Sequence, residues 1–270
     1  MKKNIIITIL TIVAGTIVFN LNKPAGFIFL LLVFVVLLQR NLSSIYALKA
    51  MKNYGGGNVK DALKFYERAY KFKNSSPTVK TNYAYILLRE GELQKPIKIL
   101  QDLLEKPLSD KDKINATLNL SLALWKQNDL DGAIGLLRDL YDKGFKTTIM
   151  YQNLGFFYVA AGNLEKALEF NLEAYDYNDS DTSILDNLAL NYYLMEDYDK
   201  ALELYEKIIP SNPTFATAYY YYGLALKTKE RYEEALEMFE KALTCRFSAL
   251  SPVKKEEIEK EIEEVKQKQI

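Results

Sequence analysis

Two absences and one recurrence bound the chemistry open to this 270-residue chain. It contains no histidine, which removes the commonest general base, the commonest zinc ligand and every Ser-His or Cys-His nucleophile pairing. Cys245 is the sole cysteine, so neither an intrachain disulfide nor a multi-cysteine metal site can form. A buried, small apolar place near a helix end is expected for it. Gly55, Gly56 and Gly57 cluster but lack the Lys-Ser/Thr that completes a phosphate-binding loop, and they read as a flexible turn. The acidic pairs Asp129/Asp131, Asp176/Asp179 and Glu233/Glu234 fall at expected helix starts or turns, where carboxylates serve the helix dipole and the solvent. No catalytic, metal or cofactor site is expected. The recurrence is one of amides. Asn82, Asn119, Asn153 and Asn187 lie 37, 34 and 34 residues apart, and a primary amide both donates and accepts hydrogen bonds.

The elements that must position these amides are clearest in residues 149–179. Tyr151, Leu154, Gly155 and Tyr158 fall on one helical face, Gly162 breaks the pattern, and Leu164, Ala167, Leu168, Phe170 and Ala174 form a second face. That is two amphipathic helices of about three turns each, joined by a tight turn. The same layout recurs in residues 182–215, with Leu185, Leu188, Ala189, Tyr192, Tyr198, Ala201, Tyr205 and Pro213. It recurs in residues 216–249, with Tyr219, Tyr222, Gly223, Leu226, Tyr232, Ala235, Phe239 and Ala242. Residues 114–147 keep Leu120, Ser121, Leu124, Leu130, Ala133, Leu137 and Leu140 in register. A repeat of this period predicts stacked helix pairs and a solenoid.

Upstream the pattern is noisier. Residues 77–113 place Tyr83, Ala84, Leu87, Gly91, Leu93 and Leu100 in frame, with Pro96 early in the second helix, where its missing N–H costs least. Lys111 to Lys113 read as three extra residues in the connection to the next unit. Residues 43–76 match only in the second helix, through Val59, Ala62, Tyr66 and Ala69. At the far end Ser251-Pro252 is expected to open a last helix over residues 251–270, with Val253, Ile258, Ile262 and Val265 as a narrow apolar stripe. A polar face over such a stripe is what a solenoid's terminal cap needs.

Hydrophobic and charged shares of 49% and 26% suit a folded, helix-rich chain. The zero net charge hides an asymmetry: residues 1–50 carry Lys2, Lys3, Lys23, Arg40 and Lys49 and no acid, net +5, leaving −5 on the remainder. That remainder has no basic footprint for nucleic acid. Residues 5–21 are uncharged, and residues 25–38 are an unbroken apolar run that residues to 42 can extend. Three readings are open for residues 1–42: a transmembrane helical hairpin turned at Asn22, Lys23 and Pro24; a signal peptide followed by one anchor; or a soluble hairpin with a covering partner. The hairpin predicts two spans with both ends cytoplasmic, since the excess of Lys and Arg lies at its ends and only Lys23 in its loop. A single span would instead allow the body to lie outside.

An aromatic, then Leu-Gly, then Tyr, Ala, an aromatic, Ala and Pro in a 34-residue frame resembles the tetratricopeptide repeat, and with the apolar start the chain resembles a bacterial membrane-anchored member of that family. The resemblance implies an all-α, right-handed α-α superhelical solenoid of about six repeats (43–76, 77–113, 114–147, 148–181, 182–215, 216–249), with the membrane hairpin before it and the capping helix after it. Gly155, Ala189 and Gly223 are then the small residues where the paired helices cross, opposite Ala167, Ala201 and Ala235. It also implies a concave groove for a protein or peptide partner. Matching positions place Asn82, Asn119, Trp125, Gln152, Asn153, Phe156, Asp186, Asn187, Tyr193 and Tyr220 on that groove. The basic clamp that some relatives use for a C-terminal carboxylate is not matched, because those places hold mostly Thr, Asn, Gln, Asp and Tyr and no Lys or Arg. An apolar or amphipathic segment is the expected ligand. The functional expectation is a membrane-anchored adaptor or scaffold, with an extracytoplasmic envelope-assembly scaffold as the alternative, and without enzymatic activity, cofactor or nucleic acid.

Overall fold

A computed structural model describes residues 2–268. Met1, Gln269 and Ile270, and with them the outer ends of the expected anchor and cap, lie outside the described residues. The chain divides into two compact units, residues 1–83 and residues 84–270.

In the first unit, α1 (Lys2–Leu21) and α2 (Lys23–Gly55) are joined at Asn22, whose side chain caps α2 by accepting from the Ala25 N–H at 3.1 Å. They pack closely enough that a Cβ on Gly26 would lie 2.1 Å from Phe19 Cα. Their outer surfaces are apolar, with Phe27, Leu32 and Phe34 each about 60% exposed. Among the described residues no single helix is both long and apolar enough to cross a membrane. The segments Lys23–Gln39 and Asn41–Gly55 pass that test together, bent by 51° at the break. The second half of α2 pairs with α3 (Val59–Lys71), which buries Ala62, Tyr66 and Ala69.

α4 (Pro77–Arg89) straddles the division. The second unit continues with α5 (Gln94–Leu104), then the repeat pairs α6 (Asp110–Lys126) with α7 (Leu130–Asp142) and α8 (Thr148–Ala160) with α9 (Leu164–Tyr177), and then α10 (Thr182–Leu194). It ends with α11 (Tyr198–Ile208), α12 (Ala216–Thr228), α13 (Tyr232–Thr244) and α14 (Lys255–Lys268). The repeat is visible in the backbone. Gly57, Gly91, Asn128, Gly162, Glu196 and Glu230 all have φ between +59° and +89°, at intervals of 34, 37, 34, 34 and 34. Each forms the left-handed turn between the two helices of a repeat. Asn58, Asp129, Asn163 and Asp197 follow as N-caps whose side chains accept a backbone N–H three residues on.

The small crossing residues are required by space. A Cβ on Gly155 would lie 2.2 Å from Asn171 Oδ1, and one on Gly223 2.6 Å from the Phe239 ring. Around them Phe157, Tyr205 and Phe239 are fully buried.

Three local expectations are corrected. Lys111 to Lys113 do not lengthen a connection: Ser109 caps at Asp110, and Asp110 and Asp112 favour the helix N-terminus, so the three residues become an extra turn of α6. Ser251-Pro252 does not open the last helix, which starts at Lys255 with the Glu257 carboxylate accepting from the Lys254 N–H. Ser251 instead closes a turn with Ser248, and Val253 is drawn into the core. Cys245 is half-buried, because it lies just past α13 where the chain leaves the helix.

Candidate functional site

Six of the expected groove residues converge on one cavity of about 330 Å³ in the second unit. Trp125 from α6, Gln152, Asn153 and Phe156 from α8, and Asp186 and Asn187 from α10 all line it. These are first helices of three successive repeats, so the 34-residue beat brings equivalent positions side by side. Trp125 and Phe156 meet edge to face, with ring centroids 5.1 Å apart, and Lys126 Nζ lies 4.5 Å from the Trp125 ring.

The polar floor is partly committed. Asn187 Nδ2 donates to the Gln152 carbonyl at 2.7 Å, and Gln152 Nε2 donates to Asp181 Oδ1 at 2.8 Å. Asp181 also caps α10 by accepting from the Ser183 and Ile184 N–H groups. One carboxylate oxygen of Asp186 accepts from Thr217 Oγ1 at 2.7 Å. Its other oxygen, Oδ1, and Asn153 Nδ2 are buried with no partner. Asp186 is 6% exposed, and burial pushes its carboxyl up to about 7 against the pull of the Thr217 hydroxyl. An unmatched donor and an unmatched acceptor are each costly in a folded interior.

The other expected groove residues lie elsewhere. Asn82 is in the first unit, where its side chain hydrogen-bonds Tyr66. Asn119 is half-buried on α6 and outside the cavity lining. Tyr193 packs on Tyr198 and Tyr221 at 5.6 and 5.7 Å. Tyr220 packs on Tyr221 and Phe239 at 5.1 and 5.9 Å, with the acidic Glu257 and Glu261 of α14 close enough to help raise its hydroxyl beyond what burial does.

The unforeseen contributor is the chain's own C-terminal segment. Leu250 and Pro252 line the same cavity, together with Tyr85 and Phe215. The Ala249 N–H donates to the Arg89 carbonyl at 2.9 Å, so the loop after the last repeat reaches back to the end of α4. Beyond it, Lys227 of α12 pairs with Glu261 and with Glu264, the latter at 2.6 Å. Lys227 and Glu261 are only 17% and 16% exposed. α14 also buries Ile258 and Val265 in the last repeats' core, as the apolar stripe required. The sequence signal for the fold-back is that Phe247, Ala249, Leu250 and Val253 are apolar around the junction of the sixth repeat and the last helix.

Residues 187–252 match the tetratricopeptide repeat family model. Those residues are tetratricopeptide repeats. A search by sequence among characterised proteins gives no match. Solved structures share the fold. A thermophilic tetratricopeptide protein of Thermus thermophilus is 22% identical, with a TM-score of 0.58 over 68% of this chain and 98% of that one. PilF of Pseudomonas aeruginosa is 16% identical, with a TM-score of 0.60 over 85% and 99%. A tetratricopeptide repeat protein of Parabacteroides merdae is 15% identical, with a TM-score of 0.52 over 84% and 99%.

Proposed function

We propose that this tetratricopeptide chain is a membrane-anchored adaptor that holds a protein or peptide segment on the inner face of its solenoid, with the body cytoplasmic. The observation that carries the binding role is that Asn153 Nδ2 and Asp186 Oδ1 are a spare donor and a spare acceptor on residues lining one cavity, walled by Trp125 and Phe156. One residue of an extended segment presents its C=O and N–H on the same edge as the complementary acceptor and donor, and an adjacent apolar side chain suits the aromatic wall. Since Leu250 and Pro252 occupy part of the lining, the partner binds beside or in place of them. The apolar outer surfaces of α1 and α2 support the anchor, and the excess of Lys and Arg after residue 39 supports a cytoplasmic body.

Capture of a partner from detergent extract tests the groove. Trp125→Ala with Asn153→Ala should reduce recovery at least about 10-fold, the loss of an aromatic anchor plus a hydrogen bond; full recovery by the double variant removes the groove from the account. Protease added to intact spheroplasts tests the side. Digestion of the body would reject the cytoplasmic placement in favour of an envelope-assembly scaffold.

A further inference from the structure

Charge divides along the chain at the boundary between the two units. Residues 1–83 hold 12 of the 35 basic and 2 of the 35 acidic side chains, net +10, leaving 23 basic and 33 acidic on residues 84–270, net −10. A groove in the acidic unit gives the basic unit no task.

The helix α3 concentrates that charge. Lys60, Lys64, Arg68 and Lys71 are all exposed and spaced 4, 4 and 3 apart, so they share an arc of about 80° on the helix. The buried Ala62, Tyr66 and Ala69 lie on the opposite side. The direction of α3 is fixed by Ser43 Oγ donating to the Ala69 carbonyl at 2.9 Å and by Lys49 Nζ lying 6.0 Å from the Phe65 ring. α3 is therefore antiparallel to α2, and the Lys71 end of the stripe is nearest the apolar part of α2.

At that end Tyr46, Arg68, Lys71 and Phe72 line an open cleft of about 240 Å³. The Tyr46 ring stacks 6.2 Å from Phe65 and 5.9 Å from Phe72, and the Arg68 guanidinium lies 5.9 Å from the Tyr46 ring. Lys71 pairs with Glu67 at 3.0 Å on the surface, an exposed pair that a phosphate can displace at little cost.

Position selects the partner. Tyr46 is eight residues beyond Leu38, the end of the apolar run, on the same helix, which is about 12 Å of helix path. The 51° bend between Lys23–Gln39 and Asn41–Gly55 lessens the distance travelled along any one direction. A headgroup layer is about 5–8 Å deep on each side of the hydrocarbon. Two aromatic rings and two cations at that level match the layer's own chemistry: rings settle at the interface, and cations meet lipid phosphates.

We propose that the α3 stripe and the Tyr46–Arg68–Lys71–Phe72 cleft form a docking surface for the anionic phospholipid headgroups of the bilayer that holds the apolar hairpin. This rests on the anchor reading above. Bound there, the stripe fixes the first repeat against the membrane surface, and the acidic unit is repelled from it.

Vesicle flotation of the full-length protein tests the proposal and the anchor separately. Vesicles are either phosphatidylcholine alone or phosphatidylcholine with phosphatidylglycerol at about 3:1. The wild type should prefer the anionic vesicles, and about 0.5 M NaCl should abolish the preference by screening. Arg68→Gln with Lys71→Gln should cut it about 25-fold, at about 5-fold per basic residue near the surface. Lys60→Gln, at the far end of the stripe, should cut it less than about 5-fold. Lys64→Gln with Lys71→Gln is the second variant, because it spares the Arg68–Tyr46 contact. Equal binding to both vesicles, or an undiminished preference in both double variants, overturns the docking surface whatever the anchor does. Release of reconstituted protein from phosphatidylcholine by carbonate, with the anionic preference intact, removes the anchor and leaves the docking surface. Loss of both overturns both.

Discussion

Residues 1–83 and residues 84–270 use the same device, a pair of helices crossing at a small residue, toward opposite surfaces. In the first unit Gly26 lets α2 approach Phe19 of α1, and in the second Gly155 accommodates Asn171. The outward faces differ. Phe27, Leu32 and Phe34 project outward from α2, whereas α13 turns Ala235, Phe239 and Ala242 inward and leaves Glu233, Glu237 and Lys241 outside. Close crossing is therefore common to both units, and the residues on the outer face decide the medium each unit fits. Charge follows the same division, +10 against −10.

The comparison breaks most easily at the anchor. Leu32→Arg with Phe34→Arg should cost about 5–7 kcal/mol of membrane insertion, seen as loss of carbonate-resistant retention. Urea unfolding of the second unit, followed by Trp125 fluorescence, should not move. A shift in both measurements would mean that the two units are not energetically separate.

Asp186 sharpens the other side. Its carboxyl rises from 3.8 to about 7 because the folded chain buries it. Below about pH 4 both states hold the proton; between about 4 and 7 only the folded state does, so stability falls as pH rises and levels above about 7. The full swing is at most about 4 kcal/mol, and Asp186→Asn should remove it. Denaturant midpoints measured at pH 4, 5.5 and 8 provide the check, and a pH-independent wild type would contradict the buried carboxyl.

The smallest effect concerns the turns. Glu196 and Glu230 hold left-handed turns that Gly57, Gly91 and Gly162 occupy elsewhere. Glu196→Gly and Glu230→Gly should each stabilise the second unit by about 0.5–1 kcal/mol, by relieving Cβ strain. Thermal unfolding measures it; a loss of stability in both would show that the turns gain more from the side chain than the strain costs.

Much of this was legible in order along the chain. The 34-residue beat and the helix pairs were readable because each depends on neighbours within a turn or two, whereas Lys111 to Lys113 read as connection and fold as helix. The aromatic positions were less clear. Trp125 and Phe156 line the cavity, while Tyr193 and Tyr220 pack on other rings, because an aromatic at an inward-facing position serves equally to hold adjacent helices. Asn82 shares its repeat position with Asn153 yet lies in the other unit. The basic stripe of α3 was spaced plainly in the sequence, but its end acquires an aromatic cleft only when Tyr46 is brought over Phe72.

The sequence by itself determined the repeat, its turns and caps, the apolar start and the stripe that makes α14 a cap, because helix periodicity and turn chemistry act between near neighbours. Only the tertiary structure decided that Ala249 reaches Arg89, that Leu250 and Pro252 enter the groove lining, and that Asp186 is buried with an oxygen to spare. Those outcomes depend on the rotation accumulated from one repeat to the next. Each repeat fixes only its own small share of that rotation, so no single stretch of sequence records where the last loop will meet the early helices.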